Sequence, residues 1–180
     1  MARRFYIVGI AGSGKTTVSR TIAQRLGITH VELDALFHGP NWSLPPAGEF
    51  ERRVTTALDG LDDWVVDGNY RSRIGGHVLE RATTIVWLDL PLHVCIARVW
   101  RRTRRRIRVR EELWDSKNRE TLRNAFFARH SLFVWSVKTH FRHRRDMPAW
   151  IARHPHLEVV HIRSPRDVGR WLETIYSPSQ

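Results

Sequence analysis

The sequence has little of several features that would point to other classes of protein. Among 180 residues there is one cysteine, Cys95, which excludes an internal disulfide, and no cysteine–histidine spacing typical of zinc sites occurs. No apolar run reaches the roughly 18 residues that a membrane-spanning helix needs. The apolar run that begins at Phe5 is interrupted by glycines and Lys15 too early for a signal peptide. These absences predict a cytoplasmic protein with no membrane partner.

Lysine is scarce as well, and the basic charge that is present is unevenly distributed. The chain has 30 Lys+Arg against 18 Asp+Glu, a net charge of +12, and only Lys15, Lys117 and Lys138 are lysines. Residues 1–90 have ten basic and ten acidic side chains, whereas residues 91–180 have 20 and eight. The second half therefore predicts an anionic partner, such as a phosphate compound, nucleic acid or a membrane surface.

Short apolar runs alternate with segments of helical spacing along the chain. Strands are predicted over 5–9, 29–33, 64–67, 84–89 and 157–162, and helices over 16–26, 47–58, 72–81, 91–106, 119–142 and 165–175. A further helical turn is expected at 147–153, and the stretch 38–48, with three prolines and two glycines, is predicted to be a loop. This alternation predicts an α/β fold with a mostly parallel sheet between helices.

A glycine-rich phosphate-binding pattern follows the first predicted strand. Residues 9–16 read GIAGSGKT and fit G-x-x-x-x-G-K-[ST] between a strand and a helix. Glycines let successive backbone N–H groups point at phosphate oxygens, and the helix N-terminus adds partial positive charge. The lysine can reach the β- and γ-phosphates, and the threonine hydroxyl can bind Mg²⁺. The predicted ATP-binding residues are Gly9, Gly12, Ser13, Gly14, Lys15, Thr16 and Thr17.

Three aspartates end predicted strands and are candidates for chemistry at the carboxyl edge of the sheet. Asp67 is followed by Gly68, which predicts a sharp turn and favours Asp67 over Asp89 as the carboxylate behind Mg²⁺. Asp89 leads through Pro91 into a helix, where an aspartate often only caps. Asp34 precedes the 38–48 loop and could orient or deprotonate an acceptor hydroxyl. A turn or capping role for Asp34 stays open.

The segment 98–110 contains eight arginines in thirteen residues. Planar guanidinium groups suit the charge that develops on phosphoryl oxygens during transfer. Arg98 and Arg102 lie four residues apart on one predicted helix face, so both can point at one site. A phosphate-clamping lid, a nucleic-acid surface interleaved with Trp100 and Trp114, and a solvated face remain the alternatives.

These motifs together resemble the adenylate-kinase-like P-loop kinases. The similarity is strongest to the branch described as "adenylate kinase or related kinase" or DNA topology modulation protein, and covers about residues 4–173. It implies a three-layer P-loop fold with a five-stranded parallel sheet ordered 2-3-1-4-5, one domain over 1–180 and an arginine-rich lid at about 98–117. The segment 67–71, DGNYR, is similar to the Asp-Gly-Phe-Pro-Arg of adenylate kinases and implies Asp67 for the metal and Arg71 for a phosphate. The pair Arg98 and Arg102 is similar to the arginines at the base of their lid.

The sequence departs from true adenylate kinases where the monophosphate would bind. Asn69 and Tyr70 replace Phe-Pro, and the threonine and arginine that hold AMP are missing after the first helix. The Lys15-to-Asp34 spacing is similar to that of shikimate kinase instead. The sequence thus predicts an ATP- and Mg²⁺-dependent kinase for a small-molecule acceptor, with Lys15, Asp34, Arg98 and Arg102 as catalytic residues and Thr16 and Asp67 for the metal. The alternative is a nucleotide-dependent nucleic-acid-binding protein that uses the basic half.

Overall fold

A computed structural model describes residues 2–71, 73–109, 112–113, 118–119 and 132–175. Five parallel strands form its main sheet: β1 (Arg4–Gly9), β2 (Thr29–Glu32), β3 (Trp64–Asp67), β4 (Thr84–Leu88) and β7 (Glu158–Ile162). Their spatial order is β2-β3-β1-β4-β7. Counted among the parallel strands alone this order is 2-3-1-4-5, so the predicted topology is confirmed. The remaining strands, β5 (Glu112–Leu113) and β6 (Asn118–Arg119), form a separate antiparallel pair.

Helices connect the strands, as parallel pairing requires. They are α1 (Lys15–Leu26), α2 (Leu33–Phe37), α3 (Glu49–Leu58), α4 (Gly75–Arg81), α5 (Leu92–Arg108), α6 (Leu132–Ala152) and α7 (Pro165–Ile175), with a short 3-10 turn at Pro40–Trp42. Within these described ranges no helix combines the length and apolarity needed to span a membrane.

Alternating side chains of the strands build two apolar cores, one on each face of the sheet. Tyr6, Val8, Trp64, Val66 and Trp87 point to the face covered by α2, α3, α4 and α6. Phe5, Ile7, Val65, Val86 and Leu88 point to the face covered by α1, α7 and the first turn of α5. This three-layer arrangement confirms the predicted fold class and assigns each strand-end side chain to one face.

The structure corrects the expectations for two helices. The second strand ends at Glu32, and Asp34 lies in the first turn of α2, because Leu33 and Phe37 are both buried one helical turn apart. The helix predicted over 119–142 is wrong at both ends: residues 118–119 are in β6, and α6 continues to Ala152 through Pro148. Phe141 on α6 is 65% exposed.

Candidate functional site

The glycine-rich loop joins β1 to α1 in the conformation that phosphate binding requires. Gly12 and Gly14 have positive φ angles of 79° and 94°, and Gly14 starts α1 with no side-chain cap on the helix N–H groups. The first turn of α1 contains no acidic residue, so its partial positive charge is available to an anion. Lys15 Nζ lies 3.3 Å from the carbonyl of Ile10 and spans the loop. The predicted residues therefore form a loop that fits the β- and γ-phosphates of a nucleotide.

Close packing explains why this loop tolerates only glycine at position 12. A Cβ on Gly12 would stand 2.2 Å from the carbonyl oxygen of Cys95, at the start of α5. Asn69 holds the loop from the other side: its Nδ2 donates to the carbonyl of Gly9 at 2.6 Å, and its Oδ1 accepts from the Gly9 N–H at 3.2 Å. The reciprocal pair fixes the end of β1 to the turn after β3. Sequence reasoning did not identify this role of Asn69.

One arginine of the basic helix reaches the loop directly. Arg98 Nη1 donates to the carbonyl of Ser13 at 3.2 Å and lies 3.4 Å from where a Cβ of Gly14 would be. Arg102 follows one turn later on α5 and is partly buried. Four arginines on α5 are exposed, namely Arg101, Arg104, Arg105 and Arg108. The Arg104 guanidinium lies 5.8 Å from the centre of the Trp100 ring, within the distance of about 6 Å that is typical of cation–π pairs. Arg98 thus contacts the loop, whereas Arg101, Arg104, Arg105 and Arg108 form an exposed face of α5.

Asp67 ends β3 on the same face of the sheet as α1. It is 1% exposed, and its Oδ2 lies 3.3 Å from Nε2 of His30 on β2. Val65, two residues earlier, packs in the core beneath α1, and strand alternation gives Asp67 the same direction. Thr16 in the first turn of α1 belongs to this face as well. The donor set, a hydroxyl and a carboxylate beside a phosphate loop, fits Mg²⁺ chemistry.

Asp89, the alternative carboxylate, is already engaged. Its Oδ1 accepts from Nε of Arg144 at 2.6 Å, and its Oδ2 lies 3.2 Å from Nε2 of His161. The His161 ring stacks on Trp87 at 4.0 Å with an interplanar angle of 1°. These contacts join β4, β7 and α6, which assigns Asp89 to the architecture of the sheet edge rather than to the metal.

Asp34 is connected to the turn after β3 through a tyrosine. Tyr70 donates its hydroxyl to Oδ1 of Asp34 at 2.7 Å, and burial together with the Asp34 charge raises the pKa of Tyr70 well above its ordinary value. The hydroxyl therefore stays protonated and orients the carboxylate. The Tyr70 ring packs against Phe37 and Phe50. Beyond them lies a pocket of about 220 Å³, lined by Phe37, Pro45, Pro46, Phe50, Glu51 and Arg73.

The loop that contains Trp42 is attached to the small β5–β6 sheet. Asn118, 1% exposed, accepts from the N–H of Trp42 at 2.8 Å and donates to the carbonyl of Gly39 at 3.0 Å. Asn41 and Trp42 both have positive φ, 55° and 60°, a conformation that asparagine adopts more readily than most residues and that is unfavourable for a bulky side chain such as Trp42. Strands of two residues are too short to leave a pattern in the sequence, so this connection was not predicted. Trp114 lies outside the described residues.

Arg71 contacts side chains of α6. Its Nη1 contacts Sδ of Met147 at 2.8 Å, and its guanidinium lies 5.0 Å from the centre of the Trp150 ring. Burial lowers the pKa of Arg71. His143, one turn before Met147 on α6, is 5% exposed. The phosphate-binding role expected for Arg71 therefore remains a prediction, and α6 forms a wall of the site that sequence reasoning missed.

Strand order β2-β3-β1-β4-β7 with a phosphate loop after β1 defines the P-loop kinases as a class. The chain is 30% identical over 134 residues to a shikimate kinase of Thermosynechococcus vestitus, covering 65% of this chain and 70% of that enzyme. It is 35% identical over 108 residues to a shikimate kinase of Gloeobacter violaceus, covering 52% and 60%. A cytidylate kinase of Pyrococcus horikoshii is 29% identical over 112 residues, 53% and 55% of the two chains.

Two solved structures share the fold over nearly the whole chain. A shikimate kinase from Acinetobacter baumannii in complex with shikimate has a TM-score of 0.56 at 18% identity, covering 95% of this chain and 91% of that one. A gluconokinase from Sinorhizobium meliloti has a TM-score of 0.54 at 16% identity, covering 97% and 90%. No model of a known protein family matches the chain.

The chain belongs to the nucleoside-monophosphate-kinase-like family of P-loop kinases, which includes these shikimate and cytidylate kinases. The predicted class, a P-loop kinase, is thereby confirmed. The matched region spans about 60% of the Gloeobacter enzyme and 55% of the Pyrococcus enzyme.

Proposed function

We propose that the protein is an ATP-dependent phosphotransferase that moves the γ-phosphoryl group to a small-molecule acceptor. The observation that carries the proposal is the uncapped start of α1, where Lys15 and Arg98 donate to backbone carbonyls of the glycine loop. Such a loop neutralises phosphate oxygens by N–H groups and fixed cations. We further infer one kinase domain over 1–180, working in the cytoplasm, where ATP is supplied.

In this proposal each predicted site residue has a separate task. Residues Gly9, Gly12, Ser13, Gly14, Lys15, Thr16 and Thr17 bind the triphosphate. Lys15, Arg98 and Arg102 neutralise charge on the transferring group, and Arg71 takes a second phosphate after leaving Met147. Thr16 and Asp67 would hold Mg²⁺, which when bound would neutralise negative charge on the phosphate groups.

The acceptor binds on the Asp34 side of the cleft. Because Tyr70 occupies Oδ1 of Asp34, the second carboxylate oxygen is directed to an acceptor hydroxyl, which it orients for in-line attack on the γ-phosphoryl. Closure of the lid, residues 98–117, excludes water so that transfer outpaces hydrolysis. The relatives named above act on shikimate, cytidylate and, for the gluconokinase, a sugar acid, which sets the first candidates for the acceptor.

ADP release from ATP·Mg²⁺ in the presence of shikimate, gluconate, CMP or AMP tests the proposal. One acceptor is expected to raise ADP release many-fold, and Lys15→Ala should lower that rate by about 10²–10³-fold, as loss of a charge-stabilising donor does. Lys138→Ala is the matched control, since Lys138 is exposed on α6. An equal rate in Lys15→Ala and the native protein would contradict the proposal.

A second candidate function rests on the outer face of α5. Arg101, Arg104, Arg105 and Arg108 are exposed there beside Trp100, a combination suited to nucleic-acid phosphates and bases. It agrees with the resemblance to the DNA topology modulation branch, to which we also assign the chain by its motifs. Binding of duplex DNA that weakens steeply from about 50 to 200 mM salt, and is lost in Arg101→Ala/Arg108→Ala, would support this function.

A further inference from the structure

His143 is the most unusual buried polar side chain near the phosphate loop. It is 5% exposed, and neither ring nitrogen has a hydrogen-bond partner among the described residues. A buried polar group without a partner costs stability comparable to a lost hydrogen bond. Packing alone therefore gives no reason for a histidine at this position, and the ring is available to a ligand.

The position of His143 associates it with the phosphate-binding end of the sheet. Its ring centre lies 6.5 Å from that of Trp87 on β4, and Trp87 pairs with Val8, immediately before the glycine loop. Met147 follows His143 by one helical turn, so both side chains lie on one face of α6. Met147 is also the side chain that holds the Arg71 guanidinium.

Charges of both signs surround His143. The positive charges of Lys15 on α1 and Arg71 after β3 disfavour protonation of the ring, whereas the negative charges of Asp89 after β4 and Asp146 on α6 favour it. Burial is the larger cause, and the pKa of His143 is lowered to about 4. Asp89 and Asp146 are themselves paired, with Arg144 and Arg145.

Within the described part of the chain neither cation beside His143 forms a salt bridge, and Asp146 acts on the charge of Arg71 only from beyond salt-bridge distance. Lys15 contacts a backbone carbonyl, and Arg71 contacts a thioether and an aromatic ring. Two cations and an unpartnered imidazole around one region form a binding site for an anion.

We propose that His143 contacts the terminal phosphoryl group of bound ATP and takes up a proton when that group binds. The inference rests on the proposed binding of ATP by the glycine loop. The proton comes from solvent and binds the free ring nitrogen, and the resulting imidazolium donates to a phosphoryl oxygen. No bond of the nucleotide forms or breaks in this step. Because the ring is enclosed, α6 must yield slightly as the phosphoryl group enters, and Lys15 leaves the carbonyl of Ile10.

The experiment is calorimetric titration of the protein with ATP·Mg²⁺ and with ADP·Mg²⁺ at about pH 6, in buffers of different ionisation enthalpy, which counts protons taken up. The native protein is expected to take up roughly half a proton more than His143→Gln on binding ATP, and no more than that variant on binding ADP. His143→Gln should also weaken ATP binding about tenfold at pH 6 and less at pH 8, with ADP binding unchanged.

His140→Gln is the matched control. His140 is 4% exposed, one turn away on the same face of α6, and its altered pKa arises from burial, Arg144 and Asp89 rather than from Lys15. It should retain the proton uptake. Should His143→Gln fail to fold, the ¹⁵N shifts of the native His143 ring provide the measurement, with protonation expected on addition of ATP but not ADP.

Equal proton uptake in the native protein and His143→Gln on binding ATP overturns the inference. Proton uptake at His143 on binding ADP also overturns it, as does a change in the ¹⁵N shifts of the His143 ring when an acceptor is added without ATP. Failure of the proposed function looks different. In that case ATP·Mg²⁺ does not bind the native protein, or binds Lys15→Ala equally well. ATP binding that depends on Lys15 without proton uptake removes only the role of His143.

Discussion

The two strands that flank β1 each lead to a buried aspartate at the carboxyl edge of the sheet, and the two aspartates differ in what surrounds them. Asp67, after β3, contacts one histidine and points to the face of α1. Asp89, after β4, has an arginine and a histidine on its two carboxylate oxygens and points towards α6. Burial is similar, at 1% and 9% exposed. Partners and direction, rather than burial, thus separate a carboxylate suited to a metal from one that stabilises the sheet edge.

Among changes at the two strand ends, the largest effect on the rate should come from replacing the aspartate at the end of β3. Asp67→Asn keeps the shape and the contact with His30 but removes the charge, so we expect the acceptor-dependent rate to fall about 10²-fold and the Mg²⁺ requirement to rise. The unfolding midpoint should change little. Rates measured over a Mg²⁺ series, beside a urea titration, check both parts. A destabilised Asp67→Asn protein with an unchanged Mg²⁺ requirement would contradict the metal role of Asp67 and give it a structural role instead.

The matched change at the end of β4 should act on stability instead. Asp89→Asn removes two charge-assisted contacts, those with Arg144 and His161, so we expect the free energy of unfolding to fall by about 2–3 kcal/mol. Activity per folded molecule should change less than in Asp67→Asn. A double-mutant cycle with Arg144→Gln measures the contact, and additive effects of the two substitutions would show that the ion pair contributes nothing.

Lowering the pH should reduce the free energy of unfolding through His143, which is buried on the α6 side of β4. The unfolded chain binds a proton at His143 near the ordinary pKa of 6.5, whereas the pKa in the folded protein is about 4. The stabilisation is present above pH 6.5 and is lost as the pH falls towards 4. Between pH 7 and 5 we expect a loss of about 2 kcal/mol. Urea unfolding of the native protein and His143→Gln measures it, and parallel pH profiles would assign the loss to other groups.

The fold could be predicted from the sequence because the sequence patterns that indicate it are local. Apolar runs such as 84–88 mark buried parallel strands, and the glycine loop sits where a strand meets a helix. These patterns and the resemblance sufficed for the sheet order. The metal and catalytic roles of Asp67 and Asp34 remain predictions, although their place at the carboxyl edge agrees with them.

The contacts that distinguish the two strand ends could not be predicted from spacing. Arg144 reaches Asp89 from 55 residues away, and that contact depends on how α6 lies on the sheet. The role of Asn69 depends likewise on two turns meeting. His143 carries no motif, and the predicted end of the helix at residue 142 would have excluded it. The helix continues through Pro148, whereas helix propensity alone predicts a break at a proline.

Asn118 makes the two sides of the cleft thermodynamically dependent on each other. It binds the backbone of Gly39 and Trp42, so the β5–β6 sheet and the loop that follows α2 can separate only by giving up both hydrogen bonds. Any molecule that binds this loop in its left-handed turn therefore stabilises the contact between the loop and the β5–β6 sheet. That contact in turn raises the affinity of the loop for the molecule by the same factor. Reciprocity of this kind would let the acceptor, rather than ATP alone, decide when the cleft is closed.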